Sequence, residues 1–334
     1  VGNYSTPPSK ILKPQRQLTA FALTVACLLL PEAAWAWGPG THLKYAEIVI
    51  NNLHLLPASL ADMIARHPAC YLYGNLIADL ILGKKYNIEA HEHSHNWQNI
   101  LRLKAKAPDD TVRTIIWGYL THLAADVVAH NVFIPVQMIR SAPGRGRGHA
   151  YWEMHYDGHV PDRYVQSATQ VATIARPHGD AFLMRELAST IFSHRTNRLI
   201  FSGTLAVQRL QLYRRLAYRS IRRSPFRLEP RAVRYYDQLS LNAIYNLFRQ
   251  GESGAVVGFD PNGHDAIAAA TTRRNHMRKR HSRPPAIERL HAEYATPLRI
   301  LPPHNFQLSA PTRRIGSGSL IGPGRDIGEQ TPSY

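Results

Sequence analysis

From Gly40 to Arg66 the chain places Leu, Ile, Ala and Val three and four residues apart, the spacing of one helical face. Pro57-Ala58-Ser59 interrupts that stripe, and Ser59 is the predicted N-cap of the helix that restarts it. Tyr71 to Leu82 is apolar and ends at Gly83-Lys84-Lys85, a helix exit. A further helix is predicted from His91 to Lys104, with Ser94 available as its cap. Asp109-Asp110-Thr111 caps a strong helix running to about Phe133, and Pro135 predicts a break after it. Ser141 to Gly148 interleaves Gly144, Gly146 and Gly148 with Arg145 and Arg147 and reads as a loop. From Ala150 the helical period returns. Two amphipathic stretches rich in Arg and Tyr follow, Glu186–Arg223 and Ala232–Gln250. Period-two alternation is hard to find anywhere, so the predicted fold is all-α, a multi-helix bundle.

The pattern changes at about Gly251. Asp260-Pro261-Asn262-Gly263 reads as a turn, a basic helix is predicted through Arg280, and the chain after Ser282 is rich in Pro, Arg, Ser and Gly. Residues 251–334 are therefore expected to form a basic, Pro-rich, largely disordered tail. At the other end, Lys10, Lys13 and Arg16 precede an apolar run from Leu18 to Leu30, followed by Ala34-Trp35-Ala36, a small-x-small cleavage pattern. This is the grammar of a signal peptide over residues 1–36. The run is too short for a membrane span, which needs about 20 residues. The expectation is a secreted or periplasmic protein whose mature chain starts at Trp37 and whose helical domain spans residues 37–250.

Charge and cysteine content narrow the partners and the means of stabilisation. With 40 Lys and Arg against 23 Asp and Glu, the formal net charge is +17. Such a surface attracts phosphate-bearing partners: an anionic membrane surface, nucleic acid, or both. Of the two cysteines, Cys27 lies in the leader. The mature chain keeps Cys70 alone and can form no intrachain disulfide, so bound metal is a candidate staple.

The chemistry concentrates on one stripe. His122, Asp126 and His130 stand at i, i+4 and i+8 between apolar and small residues. Four residues advance about 400° around a helix, so all three share a face. Burying them without partners is costly, and metal coordination provides partners. Eight residues rise about 12 Å, whereas zinc bonds are about 2.0–2.2 Å, so one ion cannot take both histidines. The stripe thus predicts at least two metals, with Asp126 placed between them. His149 and Glu153 form a second i, i+4 pair. Asp79 closes an apolar helix, and His91, His93 and His95 cluster downstream of it. His42, together with a free amine on Trp37, makes the set large enough for three ions.

These residues, in this order, resemble the zinc-dependent phospholipase C family, whose fold is shared with the fungal single-strand-specific zinc nucleases. The family shows a mature N-terminal Trp, then His, Asp, His, a His-x-x-x-Asp helix with a further His, and a His-x-x-x-Glu or Asp pair. The matching positions are Trp37, His42, Asp79, His95, His122, Asp126, His130, His149 and Glu153, with His93 as a substitute for His95. The resemblance implies a helical bundle enclosing three Zn²⁺. One ion would take Asp79, His95, His122 and Asp126. A second would take His130, His149 and Glu153. The third would take the amine and carbonyl of Trp37 with His42 and Asp126. It also implies attack on a phospholipid or other phosphodiester by a metal-bound hydroxide, with Asp79 orienting the nucleophile. Two departures stand out. The Asp126–His130 gap is shorter by two residues than in the best-known members. Gly38-Pro39-Gly40 stands where choline-selective members carry an acidic residue. Two other readings remain: a single-strand-specific nuclease on the same metals, and a non-catalytic membrane-surface protein with structural zinc and a basic arm at Arg273, Arg274, Arg278, Lys279 and Arg280. His264-Asp265 evokes the HD-type phosphohydrolases, but the remaining ligands of that pattern are missing.

Overall fold

The computed structural model describes residues 37–80, 95–143, 148–173, 177–186 and 224–300. The leader, His91, His93, Ser94, the loop at 144–147, the helix expected over 187–223 and the chain beyond 300 lie outside the described residues. Among the described residues there is no strand, and every regular element is helical. No described helix is long and apolar enough to cross a membrane.

Chain order runs α1 (Pro39–Asn51), α2 (Ala58–Arg66), α3 (Pro68–Leu80), α4 (Trp97–Lys106), α5 (Asp110–Val128), a π-turn (Ala129–Phe133), α6 (Ile134–Arg140), α7 (His149–Asp157), α8 (Asp162–Thr173), α9 (Pro177–Glu186), α10 (Pro230–Gln250), α11 (His264–Lys279) and α12 (Ile287–Ala295). Local chemistry sets several of these ends. Asp109 caps α5 by accepting from the Val112 N–H at 2.8 Å. Asn96 caps α4 through the Gln98 and Asn99 N–H groups, at 2.9 and 3.3 Å. The helix predicted from His91 is described only from Trp97, with Asn96 as cap in place of Ser94. Ser59 is not a cap either. Pro57 occupies that position, because its fixed φ already suits the entry to α2.

Helix α5 is the axis of the molecule. It is buried on nearly every side from Thr114 to Val128 and packs along α3, α10 and α4. Its approach to α3 depends on two glycines. A Cβ on Gly74 would collide with the Ile115 carbonyl, and one on Gly118 with the Tyr71 carbonyl. Only glycine lets the two backbones come this close. The closeness places Asp79, at the end of α3, beside the middle of α5.

Pro135 does not end this axis. The chain passes from α5 through the π-turn directly into α6, with Pro135 in the first turn of α6. The wider π-turn suspends the regular i→i−4 ladder just where proline lacks its N–H, so the axis continues. On the far side, α1 packs on α8 and α3. The buried Asp237 carboxylate on α10 ties this layer down: it accepts from Lys44 at 2.6 Å, Tyr156 at 2.8 Å and Tyr45 at 3.1 Å.

The stretch from residue 251 departs from the expected disordered tail as far as it is described. Helices α11 and α12 both pack against α6. Ala270, Met277, Leu290, Ala295 and Leu298 are buried. The composition is polar and basic, but five apolar residues at the right spacing suffice to seat two short helices on an existing core.

Candidate metal centre

The candidate ligands on the stripe and those gathered around it are buried. His122 is 0% exposed, Asp126 1%, His42 1%, His95 3%, and Asp79 and His130 5% each. Five of them meet where α1, α3, α5 and the residue before the Asn96 cap converge. His122 Nε2 lies 3.1 Å from Asp126 Oδ2, 3.6 Å from Asp79 Oδ1 and 3.2 Å from His95 Nε2. His95 Nε2 lies 3.4 Å from Asp126 Oδ2 and 3.8 Å from Asp79 Oδ1. His42 enters from α1, its ring stacked on His122 at 3.7 Å and its Nε2 3.3 Å from Asp126 Oδ1. Asp126 thus turns one oxygen to His42 and the other to the His95/His122 pair.

The tautomer of His122 decides what this cluster needs. Its Nδ1 donates to the Asn75 main-chain carbonyl at 2.9 Å, so Nε2 faces the cluster, as a lone pair in the neutral ring and as a second N–H in the imidazolium. That nitrogen faces two carboxylate oxygens and a second imidazole nitrogen. In the neutral ring acceptors face acceptors in a dry interior, and in the imidazolium the one N–H serves a single acceptor at a time. A cation at their focus serves all of them. His42 Nε2 and Asp126 Oδ1, though 3.3 Å apart, do not form a hydrogen bond of proper geometry. They aim at shared space instead of at each other. The donor set, imidazole and carboxylate, is compatible with zinc.

A second group assembles beyond the π-turn. His130, inside that turn, meets His149 and Glu153 from the first two turns of α7, with all three ligand atoms within 4.8 Å of one another. The rings of His130 and His149 stand edge to face at 5.0 Å. His149 Nε2 lies 2.9 Å from Glu153 Oε1 but outside hydrogen-bond geometry, again a sign of a common focus. As the rise of the helix required, His122 and His130 serve different foci.

The electrostatics favour ligand protonation states. Burial, and then the proximity of His122, lower the pKa of His42 against the opposing pull of Asp126. Burial lowers His149 to about 4. Burial alone would raise Asp126, but its interactions with His122, His42 and His95 outweigh that and hold it well below the usual carboxylate range. Near neutrality the pocket therefore offers neutral His42 and His149 and an ionised Asp126.

Trp37 is fully buried beside this site. Its indole N–H donates to the Ala125 carbonyl at 3.1 Å, and its ring packs on Tyr156 and Phe133 at 4.0 and 4.8 Å. Asp157 accepts from the Gly38 N–H at 3.1 Å and the Thr41 hydroxyl at 2.6 Å, fixing the entry to α1. Of the aromatic residues near the motifs, Tyr73 and Trp97 are buried, Tyr73 bonded to Asp180 and Trp97 to the Phe259 carbonyl.

Several groups that shape the centre carry no sequence signal. The Asn75 and Pro261 carbonyls fix the tautomers of His122 and His130. Asn262 donates to the His95 carbonyl at 3.0 Å. The Asp-Pro-Asn-Gly turn was visible in the sequence, but its partners were not.

An all-α scaffold that brings buried imidazoles and carboxylates together at more than one point has the make-up of a helical metal-binding protein. The family model described as zinc dependent phospholipase C matches residues 41–194, and this match supports a place for that span in the zinc-dependent phospholipase C family. His42 through Glu153 all lie inside the matched span. No curated protein and no solved structure matches the chain.

Proposed function

We propose that this protein is an exported phosphodiesterase that cleaves phospholipid head groups in the manner of a phospholipase C, using three zinc ions. One ion takes Asp79, His95, His122 and Asp126. A second takes His130, His149 and Glu153. The third takes His42, Asp126 and the main chain of Trp37, whose amine is free only once the leader is removed after Ala36. The observation that supports the reading is the convergence of His122 Nε2, His95 Nε2, Asp79 and Asp126 on one buried point, where a cation would take all four as ligands.

When bound, zinc lowers the pKa of water towards about 7 and polarises phosphoryl oxygens. Everything else falls to the chain. Three Zn²⁺ against Asp79, Asp126 and Glu153 leave the centre positive, which suits a phosphate anion. Asp79, close to His122 and His95, would orient the nucleophile and take its proton, the role that the resemblance implies. Asn75 and Pro261 keep His122 and His130 in the tautomer that points Nε2 inward. Outside the centre, an exposed basic run from Arg278 to Arg283 offers attraction to an anionic membrane surface.

The nuclease reading calls for aromatic platforms on which bases stack. Among the described candidates, Tyr73 and Trp97 are committed to the interior, and Tyr151 is half-buried with its hydroxyl bonded to Ser224, so the choice between lipid and nucleic acid falls to the assay. Zinc per mole, diacylglycerol release from phospholipid vesicles and nucleotide release from single-stranded DNA test both. Diacylglycerol as product supports the proposal. Nucleotides as the sole product replace it with the nuclease. Bound zinc with neither product leaves a structural metal and ends the catalytic reading. Export is checked by N-terminal sequencing of secreted material: a first residue other than Trp37 overturns the third zinc site as drawn.

A further inference from the structure

The span that matches the family ends at residue 194, yet the metal centre continues beyond it. Five consecutive residues, Phe259 to Gly263, touch both ligand groups or their immediate neighbours. The Phe259 carbonyl accepts from Trp97 Nε1 at 2.8 Å, next to the cap that follows His95. The Asp260 carbonyl accepts from Asn131 Nδ2 at 2.8 Å, and the same amide also donates to Val127 at 2.9 Å across the π-turn. The Pro261 carbonyl accepts from His130 Nδ1. Asn262 Nδ2 donates to the His95 carbonyl at 3.0 Å.

The turn is built to hold this shape. The Gly263 N–H closes it on the Asp260 carbonyl at 3.0 Å. The Asp260 carboxylate accepts from the Asn262 N–H at 2.9 Å and the His264 N–H at 3.0 Å. Gly263 has φ of 57°, the left-handed region that favours glycine, and a Cβ there would lie 2.5 Å from the His130 carbonyl oxygen. Helix α11 starts at once after the turn and is anchored by buried Ala270 and Met277.

We propose that the Phe259–Gly263 turn is a positioning element of the metal centre: it fixes His95 in one ligand group and His130 in the other, and so couples the two through a segment outside the family domain. A hydrogen bond to the distal nitrogen of a ligand imidazole sets its tautomer and raises its basicity, and losing such a partner costs roughly 10- to 100-fold in metal affinity. Here one turn supplies that bond to His130 and the main-chain restraint on His95. This inference rests on the zinc reading given above.

The test uses the full-length protein with Asn262→Ala, Gly263→Ala and, as a control on the exposed start of α11, Asp265→Ala. Zinc affinity is measured by chelator competition. The cobalt(II)-substituted form gives an absorption spectrum that reports ligand geometry, and thermal unfolding of the metal-free form reports folding alone. The expected result is a loss of affinity of roughly tenfold or more in Asn262→Ala and Gly263→Ala, with altered cobalt bands and a nearly unchanged metal-free transition for Asn262→Ala. Asp265→Ala should behave as wild type. Wild-type affinity and cobalt bands in Asn262→Ala overturn the proposal, whether or not Gly263→Ala folds. A lowered metal-free transition with unchanged affinity also overturns it, since the turn would then be scaffold only. A wild-type protein that binds no zinc removes the zinc reading itself, and this proposal with it.

Discussion

Replacing Asp126 by Asn keeps the shape of the side chain and removes one charge, so it isolates what the central carboxylate contributes. Oδ2 of Asp126 lies 3.1 Å from His122 Nε2 and 3.4 Å from His95 Nε2, and Oδ1 lies 3.3 Å from His42 Nε2. An ion held by these nitrogens sits within bonding reach of the carboxylate. Two unit charges about 4 Å apart interact by about 4 kcal/mol at an effective dielectric of about 20, and 1.4 kcal/mol is tenfold in affinity. Loss of the carboxylate should therefore weaken zinc by about a thousandfold or more in the sites it lines. The His130/His149/Glu153 group shares no atom with Asp126 and feels it through space, as the upward pull of Asp126 on His149 indicates. Asp126→Asn should thus keep one tightly bound zinc and lose the others on dialysis. Metal analysis after dialysis against a graded chelator series reads this directly, with circular dichroism as the check on folding. A folded variant with wild-type stoichiometry, and affinities within a few-fold of wild type, would refute the placement of Asp126 between ions. Loss of all zinc with a native spectrum would refute the independence of the second group.

Three further outcomes follow from the packing and the titrations. Gly118→Ala should gain about 1 kcal/mol of helix propensity, but its Cβ meets the Tyr71 carbonyl of α3, and overpacking against rigid backbone costs about 1–3 kcal/mol or more. Urea unfolding should show net destabilisation, and a more stable variant would contradict the close α3–α5 crossing. Leu290 is 0% exposed in α12, so Leu290→Ala should cost about 2–5 kcal/mol; a variant within experimental error of wild type would return this segment to a dispensable tail. Burial raises Asp157 to about 6 against the hydrogen bonds from Thr41 and Gly38. A carboxyl whose folded pKa lies above its unfolded value of about 3.9 stabilises most below that value and loses its contribution as pH rises through about 6. Metal-free wild type should therefore lose roughly 1 kcal/mol relative to Asp157→Asn between pH 5 and pH 8. Parallel stability profiles of the two proteins would count against that shift.

How much of this was legible in the sequence depended on whether side chains or main chain did the work. The stripe of His122, Asp126 and His130 could be read because helical spacing fixes which side chains share a face. The inference that it served more than one focus needed only the rise of a helix. The cap at Asp109 followed from the same local rules. Pro135 misled because proline breaks a regular ladder, and no residue type announces that a π-turn has already suspended it. The stretch from 251 to 300 misled for a related reason. Its average composition is that of a disordered chain, while its structure depends on a few apolar residues meeting a surface made elsewhere.

The groups that aim the ligands were illegible in principle. Every residue has a carbonyl, so nothing in the letters Asn75 or Pro261 says that theirs will meet a histidine 47 or 131 positions away. Selection on such contacts acts on backbone shape, and backbone shape shows in sequence only where it needs an unusual residue. Gly263 is such a place: φ of 57° and the nearness of the His130 carbonyl both call for glycine. Gly74 and Gly118 are two more, each required by the approach of α3 to α5. In this chain the glycines mark where main chain, not side chain, organises the centre, so substitutions at Gly263 and Gly118 probe the site as directly as substitutions of the ligands themselves.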